Sequence, residues 1–388
     1  MWEIQMDLYE SLKPYDNSIP DLEGDLCVPP PFENGPRERQ PGIQEYTETP
    51  LHRAARKNNR TRMIRLWELG WPLPLPDPNG ETPRDSMERS DNIELRELEH
   101  DIILMQKAAR TGNTWEVTKL FSRGLSPLMV NADGRSALYE AIASFQLDVI
   151  DYLLDNKAKE QLMLWDKAQL ELPLHTAART GFLEALVRAL KYYPDVNVCG
   201  DSGSTALSYA AGGGHLDVVR LLLKNKAQVL PPKLRDSKSG ETPLHAALQR
   251  VEEPKAYDIV KLLLEADDGH ECMEHKDGWG MTPLLLAAET GNVGCFEILL
   301  QHGASVYAVK YGATNLLHII ARNGRHDILR QCIEKSSLGE LKGGDDGVSP
   351  LKVAQGFGNE EVARLLKSYI QQVSRSGGSN SALFRNGL

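Results

Sequence analysis

A short stretch at residues 267–275, DDGHECMEH, holds a dense group of side chains able to bind a metal. Its His270, Cys272 and His275 are residue types that ligate zinc, and Cys295 could supply the fourth ligand of a tetrahedral site. However, no second ligand pair stands at the spacing of a zinc finger. The letters HECMEH also do not match the H-E-x-x-H motif of zinc proteases.

The same stretch carries three carboxylates, those of Asp267, Asp268 and Glu271. A hard cation prefers several carboxylate oxygens, so these residues could surround one. A solvated acidic loop that caps an unusually long segment explains the same letters without any ligand. The sequence therefore leaves a metal site open here. It also leaves open an enzyme or metal-dependent activity housed in the loops at 251–275 and 336–347.

No other motif requires catalysis. The glycine run Gly212-Gly213-Gly214 follows a helical pattern and lacks the Lys-Ser/Thr of a phosphate-binding loop. The stretch GDSGST at 200–205 contains serines but does not match a nucleophile elbow. We therefore predict a protein that is not an enzyme, with no catalytic residue, no cofactor and no bound metal.

Four of the ten histidines share one place in a motif that recurs along the chain. The motif reads TPLHRAA at 49–55, LPLHTAA at 172–178 and TPLHAAL at 242–248. Its first residue defines anchors separated by 33, 21, 33, 36, 33, 37, 40, 33 and 34 residues, and a period near 33 in helical sequence is typical of a solenoid. The histidines are His52, His175, His245 and His318. The anchors are Thr49, Thr82, Ile103, Ser136, Leu172, Thr205, Thr242, Thr282, Asn315 and Ser349.

Each motif has the chemistry of a short helix that packs closely on its neighbours. The leading Thr can cap the helix, and the Pro after it fits the first turn, where an amide hydrogen is not needed. An Ala pair keeps the helix thin, and a glycine such as Gly181 or Gly291 can end it. A second helix with an apolar stripe follows. Because one repeat cannot bury this stripe alone, we expect the repeats to stack.

These motifs resemble ankyrin repeats over about residues 47–370, most clearly in GSTALSYAAGGGHLDVVRLLLKNKAQV at 203–229. The resemblance implies an all-α ankyrin-repeat solenoid of about nine to ten helix-turn-helix units with short β-turn fingers. It implies that the motif histidines bond the backbone of the turns. It also implies a chain that binds another protein as a scaffold or adaptor.

The repeat pattern divides the chain into three parts. Residues 1–46 form an acidic, Pro-rich arm that we expect to be mostly disordered, 47–370 form the solenoid, and 371–388 form a flexible tail rich in Ser, Gly and Asn. The short step of 21 residues indicates an atypical helical unit at 82–102. One longer amphipathic helix is predicted there from apolar residues that step by three and four: Leu95, Leu98, Ile102 and Met105.

The resemblance places partner contacts at the finger tips and at the two residues after each Ala pair. Arginine recurs at these helix positions and would form a broken ladder able to bind carboxylates, although a plain solvated face is the alternative. An exposed aromatic ring in a finger turn can anchor a partner. The predicted partner-binding residues are Arg56, Lys57, Arg110, Arg179, Arg250, Trp279, Tyr311 and Arg322.

The negative charge is concentrated in the arm. Of the net charge of −10, the arm carries −7, and a basic stretch without acids, RAARKNNRTRMIR at 53–65, follows it. We expect the arm to fold back over this stretch, or along the arginine ladder, as a lid that modulates binding. Exposed ion pairs contribute only ~0–1 kcal/mol each, so such a lid would be displaceable. A disordered solubilising arm is the alternative.

Composition also narrows the classes of partner. The chain has neither a broad basic excess nor an apolar run of ~18–20 residues, so we expect neither nucleic acid nor membrane as a partner. Five scattered cysteines and a start unlike a secretory signal predict the cytoplasm, the nucleus or both. We expect a monomer that binds another protein through an acidic segment. A ubiquitin-ligase substrate adaptor is an alternative, without a recognisable ligase-docking box in 1–46 or 371–388.

Overall fold

The structure is a computed structural model. In it the chain forms two compact units, Met1–Gln169 and Leu170–Leu388. The predicted arm at 1–46 and the tail residues 376–388 lie outside the described residues. The described residues are 50–57, 59, 62–64, 85, 89, 93–126, 129, 135–155, 171–192, 195–200, 203–230, 240–266, 269–310, 314–334 and 348–375.

The described residues form short α-helices that mostly come in pairs. The first unit contains α1 (Pro50–Arg56), α2 (Ile93–Thr111), α3 (Thr114–Ser122), α4 (Ala137–Ala143) and α5 (Leu147–Asp155). The second unit begins with α6 (Pro173–Thr180), α7 (Leu183–Ala189), α8 (Ala206–Gly212), α9 (Leu216–Lys224), α10 (Pro243–Arg250), α11 (Lys255–Leu264) and α12 (Gly269–Cys272). It continues with α13 (Pro283–Thr290), α14 (Val293–Gln301), α15 (Leu316–Asn323), α16 (His326–Glu334), α17 (Pro350–Gly356) and α18 (Glu360–Arg375).

The second unit is a two-layer helical stack. The first helices of successive pairs pack in series, α6 on α8, then α10, α13, α15 and α17. The second helices form a second series, in which each packs on the next: α7, α9, α11, α14, α16 and α18. Antiparallel β-bridges join Cys199 to Thr205 and Val309 to Asn315, and no sheet occurs among the described residues. The all-α prediction is therefore confirmed.

Thr, Ser and Asn side chains begin the first helices, as the motif predicts. The Thr205 hydroxyl accepts a hydrogen bond from the Ser208 amide, and Thr242 caps α10 in the same way through the His245 amide. Such bonds satisfy amides that have no partner within the helix. The same cap is made by Ser136, Thr282, Asn315 and Ser349.

Close packing of the first helices depends on their small residues. The Ala pairs Ala177-Ala178 and Ala287-Ala288 are fully buried. Gly181 and Gly291 end α6 and α13 in the left-handed region, at φ 76° and 86°, which favours glycine. Val218, Val219 and Leu222 form the buried stripe of α9. The helix stops and stripes predicted from the motif are observed.

One predicted anchor is wrong. In the first unit the 19-residue helix α2 runs from Ile93 to Thr111, so Ile103 lies inside a helix instead of at its start. Ile103 lacks the side-chain oxygen that a helix cap needs, and its side chain is exposed. One longer helix is observed, with Leu98, Ile102 and Met105 buried on one face of α2, but it runs past the predicted end of this unit at residue 102.

The predicted start of the C-terminal tail also needs correction. Helix α18 continues through residues 371–375, which the sequence assigned to a flexible tail beginning at 371. Gln371, Gln372 and Arg375 are favourable helix formers, so the helix extends beyond the residues that pack on the stack. Among the described residues, no helix is both long enough and apolar enough to cross a membrane.

Candidate protein-binding surface

The motif histidines of the second unit fasten the first helices that carry them to the next finger. The Nδ1 atom of His175 accepts a hydrogen bond from the Leu172 amide at 3.0 Å, and its Nε2 atom donates to the Val198 carbonyl at 2.9 Å. In the same way, His245 Nε2 lies 3.0 Å from the Met281 carbonyl. Both histidines are therefore part of the scaffold, as the resemblance implied, and neither ring is available to a substrate.

Burial keeps these two rings neutral. Desolvation lowers the pKa of His175 from 6.5 to about 4, although its hydrogen bond to Val198 opposes the shift. Desolvation also lowers the pKa of His245 to about 4, against its bond to Met281 and the charge of Asp277. A neutral ring is required because one nitrogen must accept a hydrogen bond while the other donates one.

A second set of side chains joins the ends of several first helices to the following pair. His215 Nε2 lies 2.9 Å from the Arg179 carbonyl, and the Arg325 guanidinium donates two hydrogen bonds to the Glu289 carbonyl at 2.8 and 3.2 Å. Carbonyls at helix ends lack partners within the helix, so these bonds satisfy them. A Cβ atom on Gly181 would lie 2.4 Å from His215 Nδ1, so glycine makes room for this contact.

The finger turn before α13 exposes a tryptophan on a hydrogen-bonded backbone. The Asp277 carboxylate accepts bonds from the amides of Trp279 and Met281 at 2.9 and 2.8 Å, and Gly280 completes the turn at φ 78°. The Trp279 side chain is 75% exposed. Its predicted companion, Tyr311, lies outside the described residues.

Two arginines of the predicted ladder already hold a carboxylate from their own repeat. Arg179 Nε lies 3.2 Å from Glu171 Oε2, and Arg250 Nη2 lies 2.7 Å from Glu241 Oε1. Both glutamates immediately precede the first residue of the motif, so each pair spans one short helix. A carboxylate from a partner would have to compete with these internal ones.

The first unit shows a similar pairing. Arg110 Nε lies 3.1 Å from Glu140 Oε2, and Arg135 approaches the other oxygen of Glu140 at 3.8 Å. The Glu140 carboxylate is nearly buried, whereas the Arg110 side chain is largely exposed. Arg56 and Lys57, at the end of α1, are also exposed.

Arg322, near the end of α15, has a different environment. Its guanidinium carbon lies 5.4 Å from the centroid of the Phe357 ring, a cation–π distance, and both side chains are exposed. Among the described residues, no carboxylate lies within ion-pair distance of it. The Asn359 side-chain amide donates to the carbonyls of Ala321 and Arg322 at 2.8 and 2.9 Å, which fixes the end of this helix.

The sequence matches the family model described as "Ankyrin repeats (3 copies)" at residues 174–273, 230–310 and 251–335. These residues are the helix pairs and fingers that the histidines join. These helix pairs are ankyrin repeats. Ankyrin repeats are protein-interaction modules, and the histidine bonds and stacked pairs are their framework.

Several relatives share part of the chain. It is 30% identical over 206 residues to the ankyrin repeat protein nuc-2 of Neurospora crassa, across 52% of this chain and 18% of that protein. It is 38% identical over 111 residues to protein fem-1 homolog A-like of Mus musculus, across 29% of this chain and 15% of that protein. It is 32% identical over 182 residues to the probable E3 ubiquitin-protein ligase XBOS33 of Oryza sativa subsp. japonica, across 37% and 34% respectively. The chain thus matches about a third or less of the length of each of these relatives.

The candidate metal stretch is built into the repeats. Among the described residues, no group of three or more His, Cys, Asp or Glu side chains could hold a metal ion. Cys272 and Cys295 are fully buried, and burial, with a smaller contribution from Glu253, raises the pKa of Cys295 to about 12. A thiol that resists deprotonation is a poor zinc ligand. Asp267 and Asp268 lie outside the described residues.

The extra residues after α10 form a clamp on the next helix pair. Glu253 Oε1 accepts hydrogen bonds from the amides of Gly294 and Cys295, at 2.9 and 3.3 Å, at the start of α14. A carboxylate at a helix N-terminus is favourable because it meets the positive end of the helix dipole. A cleft of ≈ 320 Å³ lies beside this loop, lined by Gly213, Gly214 and residues 250–255.

The sequence did not reveal two features of this surface. It gave no role to Glu171 and Glu241, although their shared place one residue before the motif was the available signal. It also did not select Phe357 as a binding residue. The signal there was a large aromatic residue at a position that is Thr in three other repeats, Thr111, Thr180 and Thr290.

Proposed function

We propose that this ankyrin-repeat protein is a non-catalytic scaffold or adaptor. It binds a partner protein through the first helices and finger turns of its repeats. The motif histidines and the residues after the helix ends are used in bonds to backbone atoms, which supports a structural role for them. The remaining exposed side chains stand on rigid turns and helix ends, and such preorganisation reduces the entropy lost on binding.

The exposure of Trp279 is the observation that carries this proposal. A tryptophan that is 75% exposed, on a turn held by two bonds to Asp277, presents a large apolar surface without the freedom of a loose loop. Tryptophan is enriched among residues that dominate binding energy at interfaces. We also propose that the partner contributes an acidic segment. The chain binds it as a monomer, in the cytoplasm or the nucleus. Modulation by the arm at 1–46 stays a prediction from sequence.

The test is affinity purification with mass spectrometry on the full-length chain, Trp279→Ala and Trp115→Ala. Trp115 lies on α3 and is 68% exposed, so it is a matched control for the loss of an exposed indole. We expect a set of proteins whose recovery falls about thirtyfold in Trp279→Ala, equivalent to ~2 kcal/mol, and is unchanged in Trp115→Ala. Equal capture by both variants, or no specific capture, would contradict the proposal.

A ubiquitin-ligase substrate adaptor is a narrower form of the same function. The similarity to a protein named as a probable E3 ubiquitin-protein ligase supports it, over the 34% of that protein that is matched. Ligase subunits among the proteins captured in a Trp279-dependent manner would identify this form. Their absence from that set would leave the general scaffold.

A further inference from the structure

We propose that Arg322 and Phe357 form a composite site for an acidic side chain of the partner, flanked by an apolar one. The proposal rests on the protein-binding function above and assigns the chemistry of one contact within it. Of the arginines that the sequence predicted to form a ladder, the proposal selects Arg322 alone.

The selection follows from the internal pairing of the others. Arg179 and Arg250 stand seven and eight residues after the first residue of their motifs, and each already holds a glutamate, at 3.2 and 2.7 Å respectively. An incoming carboxylate gains little from a guanidinium that is already paired, because it must displace the internal partner. Arg322 stands near the same place on α15, and no described side chain accepts a hydrogen bond from its guanidinium.

The Phe357 ring orients Arg322 without using its N–H groups. A guanidinium that lies over an aromatic ring keeps its donors free, and these donors match the two oxygens of a carboxylate. The Phe357 side chain is 59% exposed, so an apolar neighbour of the acidic residue could pack against the ring. The Phe357 amide bonds to the Val353 carbonyl at 3.0 Å, and Asn359 holds the end of α15. The site is therefore preorganised from both sides.

Neighbouring charges limit the occupant. Glu289 holds the equivalent position one repeat earlier and forms no ion pair with Arg322 among the described contacts. Its carboxylate would repel a highly acidic segment that extended over α13. A single Asp or Glu beside an apolar residue, in an extended segment of a protein, fits better than a continuous acidic run.

The test uses the full-length protein and a phage-displayed library of random 12-residue peptides. Selection on the wild type should enrich peptides with Asp or Glu next to an apolar residue. Binding of a synthetic copy should weaken about tenfold to a hundredfold in Arg322→Gln, because a hydrogen bond to a charged group is lost. It should also weaken in Phe357→Ala, which removes a side chain that is largely exposed. Arg250→Gln is the matched control and should retain the affinity.

Charge reversal gives an independent readout. Selection on Arg322→Glu should enrich Lys or Arg at the position where the wild type selects an acid. Circular dichroism should show an unchanged fold for each variant. Peptides that lack an acid, equal effects of Arg322→Gln and Arg250→Gln, or no enrichment would each overturn the inference. Peptides that depend on Trp279 and not on Arg322 would overturn it while leaving the proposed function in place.

Discussion

Two buried histidines make the stability of this protein depend on pH. In the unfolded chain a histidine has a pKa near 6.5, whereas burial lowers the pKa of His175 and His245 to about 4. Between these values the unfolded chain binds more protons than the folded one, so acid favours unfolding. The contribution is fully present above about pH 7 and is lost as the pH falls towards 4.

We therefore expect the free energy of unfolding to drop between pH 7 and pH 5 by on the order of 2 kcal/mol for each histidine. Urea denaturation across this range measures it. The variant His245→Gln should be less stable at pH 7 but should show a flatter pH dependence, since one of the two titrating rings is gone. The exposed His100 provides the control, His100→Gln. An unchanged slope in His245→Gln would contradict the assignment.

At the scale of residues, the sequence predicted the scaffold better than the surface. The motif places each histidine next to its cap, so its role follows from a local pattern. The pairs Arg179–Glu171 and Arg250–Glu241 join residues eight and nine apart across a whole helix, a separation that no helical period selects. Exposure alone could not distinguish Arg322 from these arginines. They differ in whether a glutamate of the same repeat forms an ion pair with the guanidinium.

At the scale of elements, backbone contacts between fingers limit which residues the turns accept. Gly240 has φ 54°, and a Cβ atom there would lie 2.8 Å from the Lys276 carbonyl oxygen in the next finger. Gly303 also has a positive φ, 94°, but a Cβ atom there would meet nothing within 4 Å. Substitutions at the two glycines can therefore be compared. A side chain at Gly303 meets only the cost of a left-handed backbone, whereas one at Gly240 also meets the cost of the close approach.

We expect Gly303→Ala to lower the free energy of unfolding by about 1 kcal/mol, the cost of a left-handed alanine. Gly240→Ala should cost about 1–3 kcal/mol more, because backbone atoms in the neighbouring finger cannot move as easily as a side chain end. Urea midpoints of the two variants and the wild type give the comparison. Equal losses of unfolding free energy in the two variants would show that the neighbouring finger moves away from the new Cβ atom at no cost in free energy.

The elements themselves were predictable where caps and periods agree. A Thr-Pro start predicted α10, and a Thr-Pro start with a glycine end predicted α13, because both signals satisfy backbone groups at helix ends. The anchor at Ile103 failed because the repeat period was extended through a region where no capping residue supports it. Helix α2 instead follows its own apolar stripe through Leu98, Ile102 and Met105.

At the scale of the whole molecule, stability should be distributed along the repeats. The helices of Leu170–Leu388 contact mainly their nearest neighbours in the two series, as in other repeat proteins. Periodic spacing in the sequence is sufficient to predict this architecture, because each repeat buries its stripe on the next. The sequence could not predict which exposed positions bind, because binding positions are those that the shared scaffold leaves unconstrained.

We expect a fragment of residues 170–388 to fold without the rest of the chain, because it contains six successive helix pairs and about three repeats are needed for a stable stack. It should show a cooperative urea transition by circular dichroism and the same loss of stability towards pH 5, since His175 and His245 both lie within it. The matched control is residues 170–240, which contain only the pairs α6–α7 and α8–α9 and should be largely unfolded. A 170–388 fragment without a cooperative transition would show that these repeats depend on the preceding part of the chain. Stable folding of 170–240 would show instead that two pairs are enough, and that the stabilising contacts lie within pairs and not between neighbours.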